Sequence, residues 1–368
     1  MTLGYHAPPP GSPTGVADYA ETLRRALLKI PGPDRPDLNL YHLGNNRLHA
    51  AIYSQAIRTP GIVVLHDAVL QHFLIGTLTR ERYIEEFVYN YGEWNRHVGE
   101  ELWNDRAACA IDPRYFRYPM LRRALERQLA VIVHNPGAAA IAREHGARDV
   151  RIIPHFFEPA ARPDAASTER FRQRIGVEPG AFLFGIFGYL RETKRVLPCL
   201  GVFRRLHAVL PNTALLIAGE VVSGDLRRLL ENPGEQPGVR RIGHLSDEDF
   251  RIAAEAVDCC LNLRYPPAGE TSGIAIRLMG IGRPVILTES LETSEIPAAA
   301  ALRVPPDAEE AEVLFRQMAL VAGHPDIARQ IGEEAARHIR TRHRLEDAAG
   351  QYRQVIESIG AWVGTGAV

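Results

Sequence analysis

The chain has 368 residues, 46% apolar and 24% charged, which allows two domains with separate cores and is ordinary for a globular protein. Its formal net charge of -1 gives no broad attraction for nucleic acid or an acidic membrane surface, although weak peripheral membrane contact stays open. Four cysteines without zinc-ligand spacing, no basic-then-apolar leader and no apolar run of membrane length point to a reduced, cytoplasmic protein.

Up to about Ile153, short apolar runs alternate with helical periodicity. A short first strand leads to Pro-Pro-Pro-Gly-Ser-Pro-Thr-Gly at 8–15, which opens a helix. Gly15 there would let backbone amides approach a phosphate or hydroxyl, and a plain Pro/Gly turn fits equally well. Residues 61–65 read as a buried strand, with His66-Asp67 at its end placed for substrate contact; a histidine that caps a neighbouring helix is the plainer alternative. A long helical stretch follows, carrying Tyr83, Phe87, Tyr91, Trp94, Trp103 and Tyr115. Packing accounts for most of these aromatics, and a minority suit an acceptor pocket. Residues 130–133 form the next strand, closed by His134-Asn135.

Residues 154–167, with scattered prolines and polar residues, read as a linker. The alternation then resumes. A buried strand at 182–188 ends in a turn, and the loop after it gathers Arg191, Lys194 and Arg195. Three cations near a helix start suit a diphosphate, Lys194 as a point charge and Arg191 or Arg195 bidentately; surface salt bridges are the alternative. A helix over 197–210 and strands at 214–219, 239–243 and 258–263 follow. The triplet Asp247-Glu248-Asp249 resembles a metal-holding motif, but Ser246 before it and an amphipathic helix after it make it an acidic first turn, so no metal site is assigned.

In the segment 269–286, Glu270 sits on a loop ahead of a helix that starts near Gly273, and Gly282-Arg283-Pro284 leads into a buried strand. Such a helix start leaves backbone N–H groups unpaired and carries partial positive charge where a phosphate can sit. A glutamate beside it is suited to accept hydrogen bonds from sugar hydroxyls. From Ala308 onward the pattern is helical. Neither a Gly-x-Gly-x-x-Gly fingerprint nor a P-loop occurs, which argues against a dehydrogenase and a P-loop kinase. Short apolar strands between amphipathic helices predict an α/β protein of two Rossmann-like, doubly wound parallel-sheet domains facing a cleft, with ligands at strand C-terminal ends.

Several pieces, in this order, resemble the retaining nucleotide-sugar glycosyltransferases of GT-B architecture, in the group-1 or family-4 branch, over nearly the whole chain. They are Pro9-Pro10-Gly11-Ser12-Pro13-Thr14-Gly15-Val16-Ala17-Asp18-Tyr19, Leu65-His66-Asp67, Phe187-Gly188 with Lys194, Ile242-Gly243-His244-Leu245, Glu270-Thr271-Ser272-Gly273 and Gly282-Arg283-Pro284-Val285-Ile286. The resemblance implies an acceptor-side domain over 1–155, a nucleotide-sugar domain over 156–343, and a last helix over 344–368 that returns to the first domain. It implies metal-independent transfer from a UDP- or GDP-linked donor, with no cofactor beyond that co-substrate, to a glycan, lipid or small-molecule acceptor.

The same resemblance casts Glu270, His66 and Lys194 as catalytic, and Gly15, Arg191, Arg195, His244, Thr271, Ser272, Gly273, Ile274 and Arg277 as donor-binding. Two departures stand out. Arg277 occupies the place of a second glutamate that binds ribose in the family, and it cannot accept hydrogen bonds. Tyr189 replaces an arginine after the loop glycine, with Arg191 placed to compensate. Two alternatives remain open on the same architecture: a sugar-nucleotide epimerase, and a non-catalytic degenerate transferase that binds sugar nucleotide or supports a partner.

Overall fold

The computed structural model describes residues 3–31, 35–222, 224–231 and 236–365, so the outermost residues of the first and last expected segments lie outside it. The chain divides into two compact units. The first comprises Met1–Phe156, Pro266–Thr271 and His343–Val368; the second comprises Phe157–Tyr265 and Ser272–Arg342.

In the first unit the order is β1 (Leu3–His6), α1 (Gly15–Lys29), β2 (Arg35–Leu43), α2 (Ala50–Arg58), β3 (Ile62–Leu65), then α3 (Gln71–Thr77), α4 (Arg80–Tyr91), α5 (Arg96–Asn104) and α6 (Arg122–Leu125). β4 (Ala130–Val133), α7 (Pro136–Glu144) and β5 (Val150–Ile152) complete the sheet. All pairings are parallel and the strands lie side by side in chain order. Every strand therefore ends at the same edge. Alternate residues face opposite ways, as strand geometry requires: Tyr41, Val63 and Val131 meet α2 and α7, while Leu40, Ile62 and Ile132 meet α1. Because α1 and α2 cover opposite faces while the strands advance in one direction, the β1–α1–β2 crossover has the opposite hand to β2–α2–β3, an exception to the usual uniform handedness.

The second unit holds α8 (Ala165–Arg174), β6 (Phe182–Phe187), α9 (Val196–Val209), β7 (Thr213–Ala218), α10 (Gly224–Glu231), β8 (Val239–Ile242), α11 (Asp247–Ala256), β9 (Cys259–Asn262), α12 (Gly273–Gly280), β10 (Val285–Thr288), β11 (Leu302–Val304), α13 (Glu310–Gly323) and α14 (Pro325–Arg342). Its parallel sheet runs β11-β10-β9-β6-β7-β8, a doubly wound order that reverses between β6 and β9. The helix α15 (Leu345–Thr365) belongs to the first unit. There Tyr352 Oη meets Tyr19 Oη of α1 at 3.0 Å and the Arg353 guanidinium donates to Ile30 O at 2.5 Å.

Helix α11 starts where Ser246 and the acidic turn place it, with the Ser246 hydroxyl accepting from Asp249 N. The expected linker ends three residues early, because Asp164 caps α8 and starts it at Ala165. β2, β5 and β11 were not among the strands the pattern marked. β2 carries Pro36, Asp37, Asn39 and His42, residue types depleted in strands or polar enough to mask the alternation. Among the described residues no helix is long and apolar enough to cross a membrane.

Candidate functional site

In the first unit the parallel order brings a cluster of rings to the C-terminal edge of the sheet. His66 follows β3 directly, His134 follows β4, and His42 lies near the end of β2. His42 Nδ1 lies 3.0 Å from His66 Nε2, and the Tyr19 ring sits 4.9 Å from His66 and 5.0 Å from His134. Burial keeps these imidazoles neutral: it pushes His42 down to about 3, His134 to about 4 and His66 well below 6.5. Each neighbouring imidazole would add repulsion to a charged form.

Glu270 and Thr271 lie in the same unit, on a loop tied to the sheet from below. Ala68 N donates to Ala268 O at 2.8 Å. The Asn135 amide donates to Gly269 O and to Thr271 Oγ1, both at 2.9 Å, while its oxygen accepts from Ala138 N as the N-cap of α7. Gly269 has φ +70°, and a Cβ there would stand 2.3 Å from the Ala68 Cβ. Only glycine fits both constraints. Asn135 is thus the structural anchor of the Glu270 loop. Its sequence context shows a cap followed by proline, but nothing marks its reach to residue 269. An Asn135→Ala variant should lose about 2 kcal/mol of unfolding free energy, from the cap and the buried bonds together. Urea titration measures this, and a loss below ~0.5 kcal/mol would mean the loop is held another way. Gly15 opens α1 behind the Thr14 cap with nothing within 4 Å of where its Cβ would be, so packing does not demand a glycine there.

In the second unit the loops after β6 and β9 leave the sheet where its order reverses. Gly188 follows β6 with φ +91°, and a Cβ on it would lie 2.7 Å from Lys194 Nζ and 3.6 Å from Ile274 Cδ1. Lys194 and the first turn of α12 thus flank the same glycine. Lys194 Nζ donates to Phe187 O at 2.6 Å. Tyr265 N donates to Thr193 O at 2.9 Å, which ties the two loops together. Ser272 caps α12 through Ala275 N and receives the Arg264 guanidinium at 3.4 Å. Helix geometry leaves the Gly273 and Ile274 amides facing outward from the helix start.

The other cations divide. Arg191 is exposed. Arg195, in a left-handed backbone conformation, directs its guanidinium to the buried Glu310 of α13 at 2.6 Å. Arg277 is exposed one turn along α12, with its guanidinium over the Phe250 ring at 5.8 Å. His244 lines a hollow of about 400 Å³ together with Leu190, Gly219, Glu220, Arg227 and Arg241. Nothing in the sequence pattern marked Glu310 or His42 as parts of these arrangements.

Several solved structures share this fold. HepE of Anabaena in complex with UDP-glucose has a TM-score of 0.65 at 13% identity, covering 98% of this chain and 100% of that one. WaaG, a glycosyltransferase involved in lipopolysaccharide biosynthesis, has a TM-score of 0.62 at 16% identity, covering 99% and 100%. The sucrose-phosphate synthase of Thermosynechococcus elongatus has a TM-score of 0.61 at 19% identity, covering 88% and 74%. The two parallel-sheet α/β units match the GT-B fold of these structures. No family model matches the chain, and no curated protein matches its sequence.

Proposed function

We propose that this chain is a retaining, metal-independent glycosyltransferase of the family-4 kind, moving a sugar from a nucleoside-diphosphate donor to a glycan, lipid or small-molecule acceptor. The observation that carries the reading is the meeting of Lys194 with the first turn of α12 around Gly188, at the order reversal of a doubly wound sheet. Charge builds on the diphosphate as the sugar departs. Lys194 and the Gly273 and Ile274 amides are suited to stabilise it, with Arg191 able to reach in from solvent. Glu270, one peptide bond from Thr271 and two from Ser272, accepts hydrogen bonds from sugar hydroxyls. The hollow beside His244 has the size for a nucleobase and ribose.

The solved complexes of HepE with UDP and UDP-glucose favour a uridine donor over a guanosine one. Arg195, held by Glu310, shapes the loop that carries Lys194. Arg277 offers donors alone, so ribose hydroxyls must be recognised by other groups. The first unit takes the acceptor side.

A thermal-shift series over UDP, UDP-glucose, GDP and ADP tests the reading. A ligand at 100 times its Kd adds about 2.7 kcal/mol, which moves the melting point of a domain of this size by several degrees. UDP and UDP-glucose should shift it most. If no nucleoside diphosphate moves it at millimolar levels, the proposal fails.

A further inference from the structure

Three histidines of the first unit are buried with Nε2 lacking a hydrogen-bond partner among the described residues: His42, His49 and His134. In two of them the proton's position is forced. His49 Nδ1 lies 3.0 Å from His42 O, and His134 Nδ1 lies 2.9 Å from Ile153 O. A carbonyl oxygen only accepts, so both rings carry the proton on Nδ1.

The third ring, His42, meets another imidazole through Nδ1, 3.0 Å from His66 Nε2. One proton serves that contact. Were it on His66, neutral His42 would carry its own on Nε2, a buried N–H without an acceptor, which is the rarer and costlier kind of orphan. With the proton on His42 Nδ1, the buried Nε2 is only a lone pair, on a ring whose centroid lies 5.1 Å from that of Tyr5 and 6.1 Å from that of Tyr19. His66 then accepts at Nε2 and, being neutral, holds its own proton on Nδ1.

We propose that His42 is a positioning residue that fixes His66 in its Nδ1-protonated tautomer, so that His66 meets the sugar as a hydrogen-bond donor and not as a base. The tautomer follows from the geometry alone; its use on a sugar rests on the function proposed above. Burial supports it, since it keeps both rings uncharged at neutral pH. The His49 bond to His42 O adds a second tether, fixing the backbone that aims His42.

Long-range ¹H–¹⁵N spectra of ¹⁵N-labelled full-length protein test this directly. His66 should show a protonated Nδ1 and a bare Nε2; a protonated Nε2 in the unmodified protein overturns the proposal. His42→Phe removes the donor, and His66 should then shift its proton wholly or partly to Nε2. His42→Asn places an amide N–H where Nδ1 stood and should restore the original pattern. With UDP-glucose as the probe, His42→Phe should lower kcat for donor hydrolysis or transfer roughly tenfold with KM nearly unchanged, and His42→Asn should recover most of it. An unchanged His66 pattern in His42→Phe also overturns it. Should His42→Phe fail to fold, the unmodified spectrum and His42→Asn still decide. The expected tautomer in a protein that neither binds nor turns over UDP-glucose would support the His42–His66 assignment and sink the transferase reading instead.

Discussion

Lys194→Met is expected to slow turnover of UDP-glucose by about 100- to 1000-fold, the range seen when a single preorganised donor to a developing anion is removed. Methionine keeps most of the apolar stem and deletes only the charge, so the loop should stay in place. The variant loses the Lys194 hydrogen bond to Phe187 O, and the loss of that bond should lower stability by about 1 kcal/mol. A melting curve separates that small change from the catalytic one. On the proposed mechanism the loss should fall mainly on kcat, because charge on the diphosphate would grow as the sugar leaves. Gly188→Ala provides the geometric counterpart. Its Cβ would stand 2.7 Å from Lys194 Nζ on a backbone at φ +91°, so the ammonium must move even though the lysine is intact. A Lys194→Met variant within threefold of the unmodified rate would remove Lys194 from the proposed mechanism.

The cations of that loop also show where the sequence was legible and where it was not. Arg191, Lys194 and Arg195 look alike as a basic cluster, yet Glu310, 115 residues further on, takes the Arg195 guanidinium. Glu309, Glu310 and Glu312 all read as acids of one helix start, and only packing separates the buried one from the rest. Local signals fared better. Ser246 followed by an acidic turn places the start of α11, because capping is decided within four positions. The apolar run of β6 is equally plain, since a strand buried on both faces needs no partner to be recognised. Strand order is another matter. The monotonic first sheet, with its one crossover of opposite hand, rests on pairings between distant segments. The assembly of His42 with His66 depends on the same long-range pairing, through Val64 opposite His42. The resemblance to glycosyltransferases carried His66, Lys194 and Glu270 as individual residues, whereas the groups that hold them, His42, Phe187 and Asn135, became visible only in three dimensions.

Acidification is expected to destabilise the first unit steeply between pH 6.5 and pH 5. Native His42 and His134, pushed down by burial to about 3 and about 4, bind no proton over that range, while the unfolded chain takes one up at each. Their contribution is therefore complete above pH 6.5 and is lost as the pH falls toward the native values. Each costs about 1.4 kcal/mol per pH unit, so the two together remove roughly 4 kcal/mol by pH 5. That is a large part of a typical stability of about 5–15 kcal/mol. His66 and His49, both also lowered by burial, act in the same direction. The surroundings offer the new charges little: Tyr19 and Tyr352 share a hydroxyl contact, Phe156 stacks on Tyr19, and His155 adds another ring beside His134. Asp67, whose carboxylate accepts from Asn45 N, lies near His49 on the Gly44 side and is the group placed to offset one charge. Urea unfolding at pH 7.5, 6.5, 5.5 and 5.0 reads the slope directly. His42→Phe should flatten it by about 1.4 kcal/mol per pH unit even where it lowers stability at neutral pH. A midpoint that stays constant down to pH 5 would mean that these rings are protonated, or solvated, in the native protein.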